Sequence, residues 1–239
     1  MKQRIIRDIV LLAMIAAAET KLGIMFFEAL KQGKKMKRYA QNQITEMARI
    51  LKENGVLSVP TDTVYGVCAR YDSMEAQDNL RDVKNRPADK AFPIMCADVN
   101  QIRMIAETDA RSEKLIEAFM PGPVTLILKK KESVPAFVNG GMDTLAIRMA
   151  SSEALKQLIL AVGVPLYMTS ANQSGRPVCR NPDEIEKECP KLSGMMEGET
   201  QFGEASTIID CTSEEIRILR KGPVTMEDIE KVLKEESDV

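Results

Sequence analysis

Two polar segments carry the side chains best suited to chemistry, and each follows an apolar run typical of a β-strand. The first is residues 60–66 (PTDTVYG), after the run 56–59, and the second is residues 169–175 (TSANQSG), after the run 164–168. Between them, residues 84–90 (KNRPADK) place three cations within seven residues. Hydroxyl and amide groups in loops at strand ends, together with a basic cluster, suit the binding of a small polyanion.

The basic cluster has two interpretations. Lys84, Arg86 and Lys90 lie on a segment that Pro87 stiffens, and their mutual repulsion favours an anion among them. Arg86 can bind a phosphate with two parallel hydrogen bonds, and the lysines can act as point charges. The alternative is a solvated basic turn, which the neighbouring polar segment makes less favourable.

Further donors accompany the second polar segment. Ser170, Asn172 and Ser174 can donate to phosphate oxygens or accept from hydroxyls, or they can form turns that satisfy only their own backbone. Thr125 follows the sequence 121–123 (PGP) and can offer its hydroxyl and nearby backbone N–H groups to a phosphate. Alternatively, the Pro-Gly-Pro sequence only ends a helix.

Two arginines lie in strand-like runs. Arg148 is inside the apolar run 145–149, where an arginine is costly unless it is paired. Its partner is either a carboxylate of the protein or one of a ligand. Arg220 ends another strand-like run and has the same two interpretations.

The composition excludes several classes of function. The 239 residues have a net charge of −2, which gives no global electrostatic footprint for nucleic acid. The chain has no histidine, so Ser–His and Cys–His catalysis are excluded, and it has no Walker or dinucleotide-binding glycine motif. A site that binds anions and acts by positioning and charge neutralisation remains.

The remaining composition predicts an aliphatic, methionine-rich core, since 44% of residues are hydrophobic, 4% are aromatic and Trp is absent. The five cysteines form no C-x-x-C pair, and without histidine a zinc site is disfavoured. We therefore predict reduced, mostly buried thiols in a cytoplasmic protein.

The N-terminal segment resembles a signal peptide in part. The apolar run 9–18 follows basic residues, but it is far shorter than the ~20 residues that span a bilayer. We predict that residues 1–36 are a helical extension or a start-site artefact, and that residues 37–239 form one catalytic domain with no membrane association.

Apolar periodicity and capping signals predict alternating helices and strands. The predicted helices cover 43–52, 74–83, 99–105 with Asp98 as cap, 112–119, and 153–162 capped by Ser151 or Ser152 and ended by Gly163, with two more opening at Asn181 and Thr225. The predicted strands cover 56–59, 91–97, 124–128, 145–149, 164–168, 207–210 and 216–219. This alternation predicts an α/β fold with a mixed sheet and flanking helices.

The motifs resemble those of the YrdC family of threonylcarbamoyl-AMP synthases. The resemblance rests on 60–66, on 84–87 with Lys90, on 121–125 (PGPVT), on Arg148 and on 169–175, in that order and spacing. Closing motifs at 202–210 and 220–223 extend the resemblance to about residues 44–233. The resemblance indicates the single-domain form of the family. It implies a twisted, mixed parallel and antiparallel sheet around a concave basic cavity.

The resemblance implies a reaction and its ligands. L-threonine, bicarbonate and ATP give threonylcarbamoyl-AMP and pyrophosphate, for the t6A modification at position 37 of tRNA. Mg²⁺ enters with ATP, and no metal held by the protein, zinc, haem or flavin is implied. The implied macromolecular partners are tRNA or the downstream threonylcarbamoyl-transferase complex.

The resemblance also assigns residues to roles. The catalytic set around the nucleotide is Lys84, Arg86, Ser170 and Asn172, and Lys90, Thr125 and Arg220 complete the ATP site. The set around threonine is Thr61, Tyr65, Met95, Arg148 and Ser206, with Arg148 near the carboxylate. The sequence departs from the family at Ala150, where a proline is usual, and at 90–93 (KAFP), which replaces a Pro/Gly-Leu-hydrophobic run.

Two other functions remain open. A non-catalytic module of the same fold could bind double-stranded RNA or tRNA in the same cavity, and its binding would depend steeply on salt. A related acyl-adenylate or carbamoyl-transfer enzyme would use another substrate in the same site.

Overall fold

The computed structural model describes residues 36–200 and 205–234. The described residues from Lys37 onward belong to one compact unit. The prediction for residues 1–36 therefore lies outside the described residues, apart from Met36, as does the part of the closing motif at 202–204. No helix in the described part of the chain is both long and apolar enough to cross a bilayer.

Within the described residues, ten strands form one mixed sheet in the spatial order β1-β8-β2-β3-β7-β4-β6-β5-β9-β10. The strands are β1 (Arg38–Tyr39), β2 (Leu57–Val59), β3 (Gly66–Arg70), β4 (Ile94–Cys96), β5 (Val124–Lys129), β6 (Thr144–Met149), β7 (Leu166–Ser170), β8 (Gly194–Met196), β9 (Thr207–Asp210) and β10 (Arg217–Arg220). β8 pairs in parallel with β1 and β2, as do β4 with β6 and β5 with β9, and the other neighbours are antiparallel. The predicted mixed α/β fold is confirmed.

The predicted helices are confirmed, with small shifts at their ends. They are α1 (Ile44–Lys52), α2 (Met74–Lys84), α3 (Val99–Ile105), α4 (Ala110–Phe119), α5 (Glu153–Val162), α6 (Pro182–Glu188) and α7 (Met226–Lys234), together with a 3₁₀ helix at Ala136–Asn139.

Capping side chains fix the helix starts. Asp98 accepts a hydrogen bond from the backbone N–H of Gln101, and Ser152, the second of the two candidate caps, accepts one from Leu155. α4 begins two residues before the predicted start, because Asp109 forms a capping box with Ser112.

The strand predictions omit three strands and place the starts of two others at least two residues too early. β1 and β8 were not predicted because two or three residues give little periodicity, and β3 was not predicted because it begins inside the first polar segment. β4 starts at Ile94 and β7 at Leu166, later than predicted, since Pro93 and Pro165 have no N–H to donate to a ladder. β7 also continues to Ser170, so the second polar segment begins inside the strand.

The core is aliphatic and rich in methionine, as predicted. α1 and α5 pack together on one face of the sheet, where Met47, Leu51 and Leu158 are completely buried. Burying one such side chain stabilises the fold by about 1.5–3 kcal/mol. This packing holds the central strands rigidly, and their ends carry the polar segments. The five cysteines are buried and free, as predicted.

Candidate active site

The two polar segments lie side by side because β3 and β7 are antiparallel neighbours. Gly66 is paired with Ser170 in this ladder, so the end of one segment meets the start of the other. The backbone N–H of Ala171 donates to the carbonyl of Tyr65 at 2.7 Å and extends the connection beyond the strands. The two polar segments, which lie about a hundred residues apart in the sequence, are therefore in direct contact.

A cavity of about 280 Å³ opens beside these segments. Apolar side chains of Val64, Ile94, Met168 and Val178 form part of its wall. Polar and charged side chains from six strands or strand ends complete it. The predicted site residues that line it are Thr61, Met95, Thr125, Arg148, Ser170, Ser206 and Arg220.

Thr61 organises the first polar segment. Its Oγ1 accepts hydrogen bonds from the backbone N–H groups of Thr63 and Val64, both at 3.2 Å, and donates to the carbonyl of Val64 at 2.6 Å. This is a local turn held by a hydroxyl. The turn brings the side chain of Thr61 to the cavity wall and directs the neighbouring Asp62 towards Arg148.

Arg148 on β6 is paired with a carboxylate of the protein. Its Nη2 donates to Oδ1 of Asp62, its Nη1 donates to Oγ1 of Thr63 at 2.8 Å, and its Nε donates to the carbonyl of Gly122 at 3.1 Å. Arg148 and Asp62 are only 8% and 6% exposed. Burial lowers the pKa of Arg148, and the charge of Asp62 opposes that shift.

Asp62 is a buried partner of the site residue Arg148, and the sequence alone did not reveal it. It lies inside the motif 60–66, but no role was assigned to it because its partner is 86 residues away. Its Oδ2 is buried and has no hydrogen-bond partner among the described residues. The signal that could have identified it is the presence of one carboxylate in a segment otherwise rich in hydroxyls.

Arg220 at the end of β10 holds Ser206. Its Nε and Nη2 donate to the carbonyl of Ser206 at 3.1 and 2.8 Å, and Nη2 also lies 3.1 Å from Oγ of Ser206. That hydroxyl contacts Oγ1 of Thr125 at 2.8 Å. Burial, and then the charge of Arg148, lower the pKa of Arg220.

The charges around the cavity do not cancel. Asp62 neutralises Arg148, whereas Arg220 has no carboxylate partner within residues 36–200 and 205–234. The cavity therefore carries an uncompensated positive charge, which suits an anionic group on a ligand.

Lys84, Ser170 and Asn172 form one hydrogen-bonded network, in which Lys84 is the last residue of α2. Its Nζ donates to the carbonyl of Ser170 and, at 3.2 Å, to Oδ1 of Asn172. Oγ of Ser170 donates to the same oxygen of Asn172 at 2.6 Å. Burial lowers the pKa of Lys84 to about 8, and the nearby charge of Arg86 acts in the same direction. Three of the four predicted catalytic residues are thus in contact.

Besides Lys84 and Asn172, three predicted residues lie outside the cavity wall. Arg86 donates to the carbonyls of Lys90 and Ala91 at 3.2 and 2.6 Å, and the side chain of Lys90 is exposed. Tyr65 is buried, and its hydroxyl donates to the carbonyl of Gly198 at 2.5 Å. The roles assigned to these residues stay predictions.

The described residues contain no group of three or more His, Cys, Asp or Glu side chains arranged to hold a metal ion. Asp62, the carboxylate beside the cavity, is already paired with Arg148. A divalent cation at this site would therefore need its oxygen ligands from a bound substrate and from water.

These features define a class of protein. The family model Sua5/YciO/YrdC, described as "Telomere recombination", matches residues 49–222, so the chain belongs to this family. The resemblance identified from the motifs is confirmed.

Individual members of the family are similar to this chain over most of its length. The threonylcarbamoyl-AMP synthase of Pyrococcus abyssi is 36% identical over 204 residues, which are 83% of this chain and 59% of the relative. That of Escherichia coli O1:K1 / APEC is 34% identical over 155 residues, 63% of this chain and 81% of the relative. The chain thus spans about three fifths of the archaeal relative and most of the bacterial one.

A solved structure has the same fold. The crystal structure of P. abyssi Sua5 complexed with L-threonine matches this chain with a TM-score of 0.78 and 34% identity, covering 83% of this chain and 61% of that one.

Proposed function

We propose that this protein is a threonylcarbamoyl-AMP synthase, which forms threonylcarbamoyl-AMP and pyrophosphate from L-threonine, bicarbonate and ATP. The observation that carries the proposal is the convergence of Arg148, Ser206 and Arg220 on one cavity that borders the network of Lys84, Ser170 and Asn172. An amino-acid site and a phosphate site meet at Ser170, which belongs to both.

The cavity suits a small amino acid. Its volume of about 280 Å³ lies just below the range of ~300–1,000 Å³ for drug-sized ligands. Arg148, through its unused N–H groups, would hold the threonine carboxylate, and Arg220 would face the nucleotide. Thr61 and Ser206 would face its polar groups, and Met95 would pack against its methyl group.

The nucleotide would lie towards Lys84. Lys84, Ser170 and Asn172 would contact the phosphates, with Thr125 beside them. Arg86 and Lys90 would reach the phosphates from the loop that follows α2. Mg²⁺ would enter with ATP and offset charge on the phosphates as pyrophosphate leaves. With no carboxylate cluster in the described part of the chain, the phosphates and water would be its ligands.

The chemistry needs positioning more than a protein nucleophile. The threonine amine forms a bond to the carbon of bicarbonate, water leaves, and the product is an N-carboxylate. One oxygen of this N-carboxylate then bonds to the α-phosphorus while the bond from that phosphorus to pyrophosphate breaks. The cations of the site neutralise the developing charge, and the two subsites hold the reacting groups together. This accounts for a working site without histidine.

The proposal also includes the use of the product, the macromolecular partners and the cellular compartment. The product would serve the t6A modification of tRNA, with tRNA or the transferase complex as partner. The cytoplasm would be the compartment, where buried free thiols stay reduced.

Mass spectrometry tests the proposal. Purified protein is incubated with ATP, Mg²⁺, bicarbonate and L-threonine, with L-serine in a parallel reaction. A threonine- and bicarbonate-dependent adenylate with matching pyrophosphate release is expected. ATP binding without product would indicate another acyl or carbamoyl substrate. Salt-dependent RNA binding with neither ATP binding nor product would indicate the RNA-binding module instead.

Replacing Gly222 with Ala is expected to displace Ser206. A Cβ at Gly222 would lie 2.5 Å from the backbone N of Thr207 and 2.7 Å from the carbonyl carbon of Ser206, and backbone cannot move aside cheaply. We expect a loss of about 1–3 kcal/mol in the free energy of unfolding and a rise of about tenfold or more in the KM for threonine. Urea denaturation and steady-state kinetics measure the two effects.

Gly141→Ala is the matched control. Gly141 has a φ of +84°, so alanine strains the backbone there, but no atom lies within 4 Å of the new Cβ. We expect reduced stability with an unchanged KM for threonine. An equal rise in KM in both variants would contradict the specific role of the turn at Gly222.

A further inference from the structure

The loop after α2 carries an aromatic ring that lies against two arginines. Phe92 is 3% exposed, and the centroid of its ring is 4.8 Å from Cζ of Arg86 and 5.0 Å from Cζ of Arg81. The ring also packs against Tyr167 at 5.6 Å between centroids. A guanidinium within about 6 Å of a ring centroid is attracted by the electron-rich face.

Backbone carbonyls complete the attachment of both arginines. Arg81 donates through Nη1 to the carbonyls of Pro87 and Lys90, at 2.7 and 3.1 Å. Arg86 donates through Nε to the carbonyl of Lys90 and through Nη2 to that of Ala91. Neither arginine forms an ion pair with a carboxylate within the described residues. Burial lowers the pKa of Arg86, and the charge of Arg81 lowers it further.

This arrangement leaves one edge of Arg86 available. Its Nε and Nη2 are engaged, whereas Nη1 has no hydrogen-bond partner in the described part of the chain. Two like charges held against one ring repel each other, and an anion at the free edge relieves that repulsion. A phosphate accepts hydrogen bonds from a guanidinium with suitable geometry.

We propose that Phe92 is a positioning residue for Arg86, holding its guanidinium so that the free Nη1 edge binds a phosphate of the nucleoside triphosphate. The proposal rests on the proposed function for the identity of the nucleotide. It assigns a role to the aromatic side chain of the segment 90–93 (KAFP). Leucine at position 92 would fill the space but would not attract the cation.

The first test is Phe92→Leu. The KM for ATP is expected to rise about fivefold to tenfold, which corresponds to about 1.0–1.4 kcal/mol, while the KM for threonine stays within about twofold. In an Arg86→Ala background, Phe92→Leu is expected to have no further effect on the KM for ATP, because the ring then has no guanidinium to position. Phe119→Leu, in a partly buried position on α4, is the control and leaves both KM values unchanged.

Ring fluorination keeps the experiment decisive if the leucine variant folds poorly. Phenylalanine analogues with one and three ring fluorines at position 92 preserve shape while weakening the electron-rich face. The KM for ATP is expected to rise with the number of fluorines. A KM that is insensitive to fluorination, or equal changes in the KM for ATP and for threonine, would overturn the proposal.

A failure of the proposed function can be distinguished from a failure of the proposed role of Phe92. Calorimetry with ATP on the unmodified protein reports nucleotide binding directly. No ATP binding and no product would overturn both proposals. Normal product formation with no response to changes at Phe92 would overturn the positioning role alone.

Discussion

Replacing Arg148 with Ala is expected to abolish threonine-dependent turnover and to lower the free energy of unfolding by about 3–5 kcal/mol. The second effect arises because Asp62 would remain buried without its partner, and its Oδ2 already has no hydrogen bond within the described residues. ATP binding is expected to change little, because Lys84, Ser170 and Asn172 are held by their own network. Urea denaturation, calorimetry with ATP and turnover assays measure the three quantities.

A double variant distinguishes the effect of Arg148 on the free energy of unfolding from its effect on turnover. Arg148→Met with Asp62→Leu removes both charges and keeps apolar volume, so the free energy of unfolding is expected to return to within about 1–2 kcal/mol of the original. Turnover is expected to stay lost, because the threonine carboxylate would have lost a guanidinium. Recovered turnover in the double variant would mean that the ion pair is only structural.

An exposed ion pair serves as the control for the loss of the buried ion pair between Arg148 and Asp62. Arg103 contacts Glu113 at 2.6 Å, and its side chain is 53% exposed. Arg103→Ala is expected to change the free energy of unfolding by less than about 1 kcal/mol and to leave turnover unchanged. A loss of turnover or stability comparable to that of Arg148→Ala would point to a general effect of arginine removal.

The helices were predictable because their signals are local. Asp98, Ser152 and Asn181 each cap the helix that immediately follows, so a few residues of sequence contain the cause. β1, β3 and β8 were not predictable in the same way. Gly194–Met196 becomes a strand because it fits between β1 and β2, and that reason lies in the tertiary structure.

The site shows the same division between local and distant causes. Residue types and motif order identified most of the polar cavity wall, including Arg148, Ser206 and Arg220. Side-chain partners were not predictable, since Asp62 and Arg148 are 86 residues apart and Lys84 and Asn172 are 88 apart. Whether an arginine awaits a ligand or already has a carboxylate depends on such distant contacts.

Lys84→Met is expected to lower kcat by about 10²–10³, because a preorganised cation beside the phosphates would be lost. The same substitution also removes the cost of burying a charged lysine, and that cost depends on pH. The pKa of Lys84 is lowered to about 8 by burial, from an ordinary value of 10.5, which corresponds to a cost of roughly 3 kcal/mol for folding with the charged form. That cost is fully present below pH 8 and is relieved as pH rises from about 8 to 10.5.

The stability of the unmodified protein is therefore expected to gain more between pH 7.5 and 10 than that of Lys84→Met. Urea denaturation at several pH values in this range measures the gain for each protein. Lys129→Met removes an exposed lysine from β5 and is expected to show the same gain as the unmodified protein. Parallel curves for all three proteins would contradict a buried, destabilising charge at Lys84.

The same titration links stability to ligand binding. In the free protein, loss of the proton from Lys84 above pH about 8 removes a cation, so ATP affinity measured without threonine is expected to fall there. Bound phosphates would raise the pKa of Lys84, because an adjacent opposite charge favours the protonated form. ATP binding should therefore take up protons near pH 8, and calorimetry in buffers with different ionisation enthalpies would detect this uptake. If the proton uptake persists unchanged in Lys84→Met, another group takes up the proton. If the uptake is lost in that variant, Lys84 is the buried cation that nucleotide binding stabilises.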